Sequence, residues 1–199
     1  MNCFAAKNNF GRLILKSNPL PTYVESAVQA IFADHNLINI QQHEWEMRTF
    51  LSLALEELKP ERTVELGTYK GFTSALLSLV TSRHTVSIDP TDYGTAEARP
   101  YGHQLDFIAG DAADKDSVIL AMASLDGPID LLFIDDGHYY ETICKEMELW
   151  RPYVRPGGWI VFHDINPLAN IGPHGVQPPE LQVTRFWNEL QGNKQEIIA

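Results

Sequence analysis

The stretch of sequence that decides the fold is Val64-Glu65-Leu66-Gly67-Thr68-Tyr69-Lys70-Gly71, which leads into Phe72-Thr73-Ser74-Ala75-Leu76-Leu77. An apolar run ends in an acid, passes two glycines four residues apart and continues into an apolar segment. This order predicts a strand, a tight turn and a helix, because glycine adopts turn conformations without steric cost. The first N–H groups of such a helix are unpaired and can bind a ligand. The turn is therefore the first candidate binding site.

A second acid, Asp89, ends the next apolar run about 22 residues after Gly67. In nucleotide-binding folds an acid at this distance holds the ribose hydroxyls. The dinucleotide fingerprint is absent, because Tyr69 stands where a glycine would have to press against a pyrophosphate. Glu65 would repel a pyrophosphate and attract an ammonium or sulfonium group. S-adenosylmethionine carries both cations and a ribose but no phosphate, so these residues favour it as the cofactor.

This spacing resembles motif I and its successor in class I S-adenosylmethionine-dependent methyltransferases. The later runs Phe133-Ile134-Asp135-Asp136-Gly137-His138, Arg155-Pro156-Gly157-Gly158 and Phe162-His163-Asp164 resemble the subgroup of macrocin-type and sugar O-methyltransferases and of cephalosporin-hydroxylase-type proteins. The resemblance implies a seven-stranded sheet that binds S-adenosylmethionine through Glu65, Gly67, Gly71, Asp89 and Asp111. We add the neighbouring Thr68, Tyr69, Gly110 and Asp135 to this cofactor site.

A second group of polar residues follows the fourth and fifth predicted strands, namely Asp135, His138, His163 and Asp164. Adjacent strand ends of a doubly wound sheet converge, so we expect these four side chains in one crevice. Carboxylates suit Mg²⁺ or Mn²⁺, whereas imidazoles favour transition metals. A metal could activate a substrate hydroxyl, and Asp135 or His138 could take its proton as the catalytic base.

The resemblance also implies a metal site. In metal-dependent relatives the ion sits on an Asp after the fourth strand and on an acidic pair after the fifth. These positions match Asp135, His163 and Asp164, so that an imidazole replaces one carboxylate here. We expect Mg²⁺ or another divalent metal, and His163 weakens the case for Mg²⁺.

Alternating apolar runs and helical patterns predict an α/β fold, a doubly wound Rossmann-like sandwich with a mostly parallel sheet. The predicted strands are 62–66, 84–88, 105–109, 129–134 and 158–162, and the predicted helices are 22–34, 44–58, 71–81, 112–124, 138–151 and 183–190. We expect one domain over 1–199, with an N-terminal helical segment (1–60) and an α/β core (61–199). The related family adds an antiparallel hairpin after the last helix. Only its first strand, about 194–198, is visible, so we expect the last antiparallel strand to be missing.

Composition excludes several classes of protein. The formal net charge of −11 and the absence of basic runs disfavour nucleic-acid binding. No apolar run is long enough to span a membrane, and the N-terminus has no signal-peptide pattern. Two isolated cysteines, Cys3 and Cys144, indicate a reducing compartment, and we expect a cytoplasmic protein. The unpaired sheet edge and the N-terminal helices predict a homo-oligomer.

The leading functional hypothesis is O-methylation of a small hydroxylated metabolite by a metal-assisted methyltransferase. One alternative is a metal-dependent oxygenase, in which His138, His163 and Asp164 bind Fe(II). Another is a protein that binds S-adenosylmethionine without catalysis. Loops 91–104 and 166–179 follow strand ends and are expected to border the site.

Overall fold

One parallel sheet forms the centre of the computed structural model, which describes residues 2–4, 19–33, 40–93, 103–165 and 182–195. Its strands are β1 (Asn2–Phe4), β2 (Arg62–Leu66), β3 (His84–Asp89), β4 (Leu105–Ala109), β5 (Ile129–Ile134), β6 (Val154–Phe162) and β7 (Asn193–Gln195). They lie in the order β4-β3-β2-β5-β6-β1-β7, and every pairing is parallel. The order reverses between β2 and β5, which defines a doubly wound sheet and its ligand-binding crevice.

Helices cover both faces of the sheet. They are α1 (Thr22–Ala33), α2 (Ile40–Leu53), α3 (Phe72–Val80), α4 (Lys115–Leu125), α5 (Tyr140–Trp150) and α6 (Val183–Glu189). A π-helical turn (Ala54–Leu58) continues α2 and ends at Lys59, which has a left-handed backbone. All six predicted helices and all five predicted core strands are therefore confirmed, with shifts of a few residues at their ends.

The core lies in two layers because side chains along a strand alternate between the faces of the sheet. In β5, Leu132 and Ile134 join one buried cluster with α4, α5 and α6. Leu131 and Phe133 join the other, which includes α1, α2 and α3. The N-terminal helices are thus part of the core, and their contacts reach the strand that carries the candidate site.

The sequence did not predict β1. This strand lies between β6 and β7 and is parallel to both. The structure therefore corrects the expectation that the segment before residue 60 is only helical. The sheet has seven strands, the number that the resemblance implies, and its described residues show no antiparallel pairing.

Parts of two other predictions lie outside the described residues. The C-terminal strand is present at Asn193–Gln195, whereas 196–199 are not described. The same holds for 94–102 and 166–181, which make up most of the two loops expected to border the site. None of the helices in the described ranges has the length and hydropathy needed to cross a bilayer.

Candidate active site

The carboxyl ends of five strands meet at one edge of the sheet. Backbone hydrogen bonds continue the pairing of the sheet beyond the strand ends. Gly67 N–H donates to the carbonyl oxygen of Ile88 (2.9 Å), and Asp135 N–H donates to that of Leu66 (2.9 Å). His163 N–H donates to Ile134 in the same way (3.0 Å). The predicted site residues therefore lie side by side along this edge.

The turn after β2 has φ angles that residues with a side chain rarely adopt. Gly67 (φ 88°) and Gly71 (φ 79°) are left-handed, and so is Tyr69 (φ 46°) between them. A Cβ atom on Gly67 would lie 2.2 Å from the carbonyl oxygen of Asp135. Glycine is thus required where the turn presses against the loop after β5. This contact joins the cofactor turn to the segment that carries Asp135 and His138.

Asp89 organises the same turn. One carboxylate oxygen accepts hydrogen bonds from the N–H groups of Thr68 (3.1 Å) and Tyr69 (2.9 Å), and the other accepts from Thr91 (2.9 Å). Hydrogen bonds from N–H groups to a carboxylate are roughly twice as strong as neutral ones. The side chain expected to hold a ribose therefore also fixes the shape of the turn, which the sequence did not predict.

Glu65 lies beneath the turn and is fully buried. The hydroxyls of Ser74 and Ser87 donate hydrogen bonds to one oxygen, and Ser87 is also linked to Thr68. Burial raises the pKa of Glu65 to about 8, against the opposing effect of the two serines. Its second oxygen, Oε1, has no hydrogen-bond partner among the described residues. At pH 7 the carboxyl is thus mostly protonated, and it does not face solvent as the expected attraction of a cation would require.

Gly110 and Asp111 follow β4. Gly110 packs on α4, where a Cβ would lie 2.5 Å from the Ser117 hydroxyl oxygen. Asp111 is exposed and accepts a hydrogen bond from Ala113 N–H (2.7 Å). It therefore lies at the expected edge, and its carboxylate is open to solvent.

The second predicted group forms a compact cluster after β5 and β6. His138 Nε2 lies 3.5 Å from Asp135 Oδ1 and 3.4 Å from Asp164 Oδ2. His163 Nδ1 lies 3.1 Å from Asp135 Oδ1 and 3.3 Å from Asp164 Oδ1. All four residues thus meet in one crevice. Ligand atoms of Asp135, His138 and Asp164 lie within 4.8 Å of one another, so His138 stands in this group where the sequence analysis expected His163.

The two imidazoles supply positive charge to the two carboxylates. Burial alone would raise the pKa of Asp135, but His163 and His138 hold it well below its ordinary value. The adjacent Asp135 carboxylate, 3.5 Å from its Nε2, raises the pKa of His138. Burial would lower the pKa of His163, yet Asp135 and Asp164 raise it well above its ordinary value. The crevice is therefore an environment that stabilises a cation.

Backbone strain marks this cluster. His138 (φ 56°) and Asp164 (φ 54°) have left-handed backbones although neither is a glycine. Such conformations cost about 1–2 kcal/mol per residue and tend to collect at functional sites. The His138 side chain faces Asp135 and Asp164, and the Asp164 side chain faces His138 and His163.

One residue of the crevice escaped the sequence analysis. Glu46, in α2, places Oε2 3.9 Å from His163 Nε2. It belongs to no motif, and only the packing of α2 against the sheet brings it there.

Comparison with known proteins identifies the family. Residues 64–165, just over half of the 199-residue chain, match the family described as the methyltransferase domain. The chain belongs to this family. The class I methyltransferase expected from the sequence is thereby confirmed, and the matched segment includes both halves of the crevice.

Solved structures agree with the fold of this methyltransferase domain. An O-methyltransferase from Bacillus cereus in complex with SAH is 19% identical, with a TM-score of 0.58 over 88% of this chain and 80% of that one. The SAH-bound methyltransferase PaMTH1 of Podospora anserina is 19% identical, with a TM-score of 0.53 over 87% and 75%. At this identity the likeness establishes the doubly wound fold.

Two curated relatives match the chain over part of its length. The uncharacterized protein R132 of Acanthamoeba polyphaga mimivirus is 28% identical over 51% of this chain. The uncharacterized protein y4gI of Sinorhizobium fredii is 26% identical over 67% of it. The matches cover 50% of the first relative and 15% of the second.

Proposed function

We propose that this methyltransferase domain transfers a methyl group from S-adenosylmethionine to a hydroxyl of a small metabolite, with assistance from a divalent cation. The observation that carries the proposal is the contact between Gly67 and Asp135. It makes a nucleoside-cofactor turn and a carboxylate–imidazole cluster immediate neighbours, as transfer between two bound molecules requires.

The cofactor half would bind through the turn at 67–71 and the acids around it. The Asp89 hydrogen bonds keep the turn in one shape before any ligand arrives, which lowers the entropic cost of binding. Asp111 would accept a hydrogen bond from the exocyclic amine of adenine. Glu65 would support the turn from below, where the Ser74 and Ser87 hydroxyls hold its carboxyl group.

The donor set fits a divalent cation. Ligands about 2.1 Å from a metal are roughly 3.0–3.4 Å apart at octahedral or tetrahedral angles. The four nitrogen–oxygen separations of the cluster, 3.1 to 3.5 Å, have this size. Asp135, His163 and Asp164 would hold the ion, which when bound would lower the pKa of a coordinated hydroxyl.

His138 would act as the general base. Its Nε2 lies between Asp135 and Asp164, whose negative charges stabilise the imidazolium that forms when it accepts the hydroxyl proton. The alkoxide or phenolate oxygen then forms a bond to the methyl carbon as the bond from carbon to sulfur breaks. The products are a methyl ether and S-adenosylhomocysteine.

Calorimetric titration with S-adenosylhomocysteine tests the cofactor half. We expect binding by the unaltered chain and a loss of at least tenfold in affinity for Asp89→Asn. Asp106→Asn is the matched control, because this acid lies on β4 away from the strand tips and should leave affinity unchanged. No heat of binding at millimolar ligand would overturn the proposal.

The two alternatives predict other measurements. The adjoining imidazoles would also suit Fe(II), in which case the iron-loaded chain should consume oxygen and ignore S-adenosylmethionine. A non-catalytic binding protein should bind S-adenosylmethionine but transfer no methyl group to any diol or catechol. We expect no oxygen consumption, and methyl transfer from labelled S-adenosylmethionine to at least one hydroxylated acceptor.

A further inference from the structure

His163 is the residue at which this chain departs from the acidic pair of the related methyltransferases, and it lies between carboxylates on both sides. Its Nδ1 faces Asp135 and Asp164 at 3.1 and 3.3 Å. Its Nε2 faces Glu46 of α2 at 3.9 Å. The imidazole thus has one nitrogen toward the cluster and the other toward a carboxylate outside it.

The position of Glu46 is fixed by packing. Phe50 lies one turn later on the same face of α2 and is buried against Phe133 of β5, with 5.5 Å between ring centroids. The Phe133 ring in turn lies 6.4 Å from the His163 ring. Arg48 pairs with Glu44 of the same helix and Glu25 of α1, which ties the two N-terminal helices together. Glu46 is therefore held beside His163 by the core.

This arrangement approaches a recurrent pattern in metal sites, since 3.9 Å between His163 Nε2 and Glu46 Oε2 is an ion-pair distance that is longer than a hydrogen bond. A histidine that binds a metal through one nitrogen usually donates the other N–H to a carboxylate, which fixes the ring and makes it a better ligand. Imidazole nitrogens suit Zn²⁺, Fe²⁺, Co²⁺ and Ni²⁺, whereas Mg²⁺ prefers carboxylate and water oxygens. His163 Nδ1, at 3.1 Å from Asp135 and 3.3 Å from Asp164, adds an imidazole to the two carboxylates and so favours an ion of the first kind.

We propose that the crevice binds a first-row transition-metal dication in preference to Mg²⁺, and that Glu46 is the positioning residue that keeps His163 Nδ1 directed at the ion. The inference rests on the metal-assisted part of the proposed function. It needs neither S-adenosylmethionine nor methyl transfer to be tested.

The test is a titration of the metal-free full chain with Co²⁺, followed by visible absorption, with Mg²⁺ as a competitor. We expect a cobalt spectrum distinct from that of the aqueous ion, and displacement only at a Mg²⁺ concentration at least 100-fold higher. Glu46→Gln should weaken Co²⁺ binding at least tenfold, which is the usual effect of losing such an outer carboxylate. Glu44→Gln is the matched control, because it removes a carboxylate from the same helix that faces Arg48 instead of the crevice.

A second variant replaces His163 by the acidic residue found in the related methyltransferases. His163→Glu combined with Glu46→Gln restores an acidic pair without adding a carboxylate contact to Glu46, and the preference for Co²⁺ over Mg²⁺ should fall at least tenfold. Circular dichroism and melting temperature show whether each variant is folded. An aqueous cobalt spectrum, equal affinities for Co²⁺ and Mg²⁺, or a Glu46→Gln variant that binds like the unaltered chain would overturn the inference.

Titration of the same protein with S-adenosylhomocysteine separates the two proposals. Binding of S-adenosylhomocysteine with an aqueous cobalt spectrum would overturn the metal inference and leave the cofactor half standing. Specific cobalt binding without S-adenosylhomocysteine binding would support the metal inference and overturn the proposed methyl transfer.

Discussion

The two halves of the crevice use their acidic residues in opposite ways. In the cofactor half, Asp89 accepts three backbone hydrogen bonds and Glu65 accepts two from serine hydroxyls. In the half proposed to bind a metal (the metal half), Asp135 and Asp164 face two imidazoles at 3.1 to 3.5 Å. The acids of the first half accept hydrogen bonds from uncharged donors, whereas those of the second lie beside titratable imidazoles.

This difference separates stability from chemistry. A change in the cofactor half leaves buried N–H groups without acceptors, or forces the turn after β2 away from the loop after β5. Either change should lower the free energy of unfolding. A change in the metal half removes a charged group from a partly exposed crevice, so it should affect reactivity more than folding. The effects expected on the free energy of unfolding, from the largest to the smallest, test this contrast.

Gly67→Ala should be the most damaging change, because its Cβ would lie 2.2 Å from the Asp135 carbonyl oxygen. We expect a loss of more than about 3 kcal/mol in the free energy of unfolding, or no folded protein. Gly157→Ala is the matched control, since Gly157 has a similar φ of 82° and its nearest neighbour would be 3.5 Å away. Its cost should stay near 1–2 kcal/mol. Urea unfolding measures both, and equal costs would contradict the close contact.

Asp89→Ala should come next, because it leaves the three N–H groups that Asp89 binds without their acceptor. We expect a loss of about 3 kcal/mol in the free energy of unfolding. Asp111→Ala removes an exposed carboxylate that accepts from Ala113 alone among the described residues, and should cost about 1 kcal/mol. If the two variants unfold at the same urea concentration, Asp89 does not hold the turn.

Glu65→Gln should have an effect that depends on pH. Burial raises the pKa of Glu65 from 4.5 to about 8, so the unfolded chain ionises this group first as pH rises. Its contribution to stability is complete below pH 4.5, declines by at most about 1.4 kcal/mol per pH unit, and is lost by pH 8. Glutamine stays neutral, so the free energy of unfolding of the variant should rise relative to that of the unaltered chain between pH 4.5 and pH 8. Urea unfolding from pH 5 to 9 measures the difference, and a constant difference would refute the raised pKa.

His138→Asn should change stability least, by no more than about 1 kcal/mol. Asparagine is among the residues that tolerate the left-handed backbone found here (φ 56°). Methyl transfer should nevertheless fall by about 100-fold, because the general base is lost. Thermal unfolding and initial rates measured on one preparation test both parts. A rate within a few-fold of the unaltered chain would exclude His138 as the base.

Sequence patterns predicted most of the fold. The buried strands are short apolar runs bounded by turns, and the helices carry apolar residues at helical spacing, so each could be located without tertiary information. The three-residue strand β1 has too little length for a pattern. Its position between β6 and β7 depends on tertiary packing alone.

The prediction of the site was similarly divided. Acids and histidines directly after buried strands had to meet at one edge, because parallel strands point the same way. The roles of Glu65 and Asp89 could not be read in this way, since burial beneath the turn and the three N–H donors arise only on folding. Glu46 is more than 100 residues from His163 in sequence, so no local signal connects them.

By itself the sequence determined the family, the order of the elements and the edge of the sheet at which the polar site residues lie. These features depend on local periodicity and on the residues at strand ends. Only the tertiary structure decided which acids accept hydrogen bonds from uncharged donors and which lie beside the imidazoles. That choice depends on distances of a few ångströms between segments remote in sequence. The approach of the Gly67 turn to Asp135, and of α2 to His163, sets these distances.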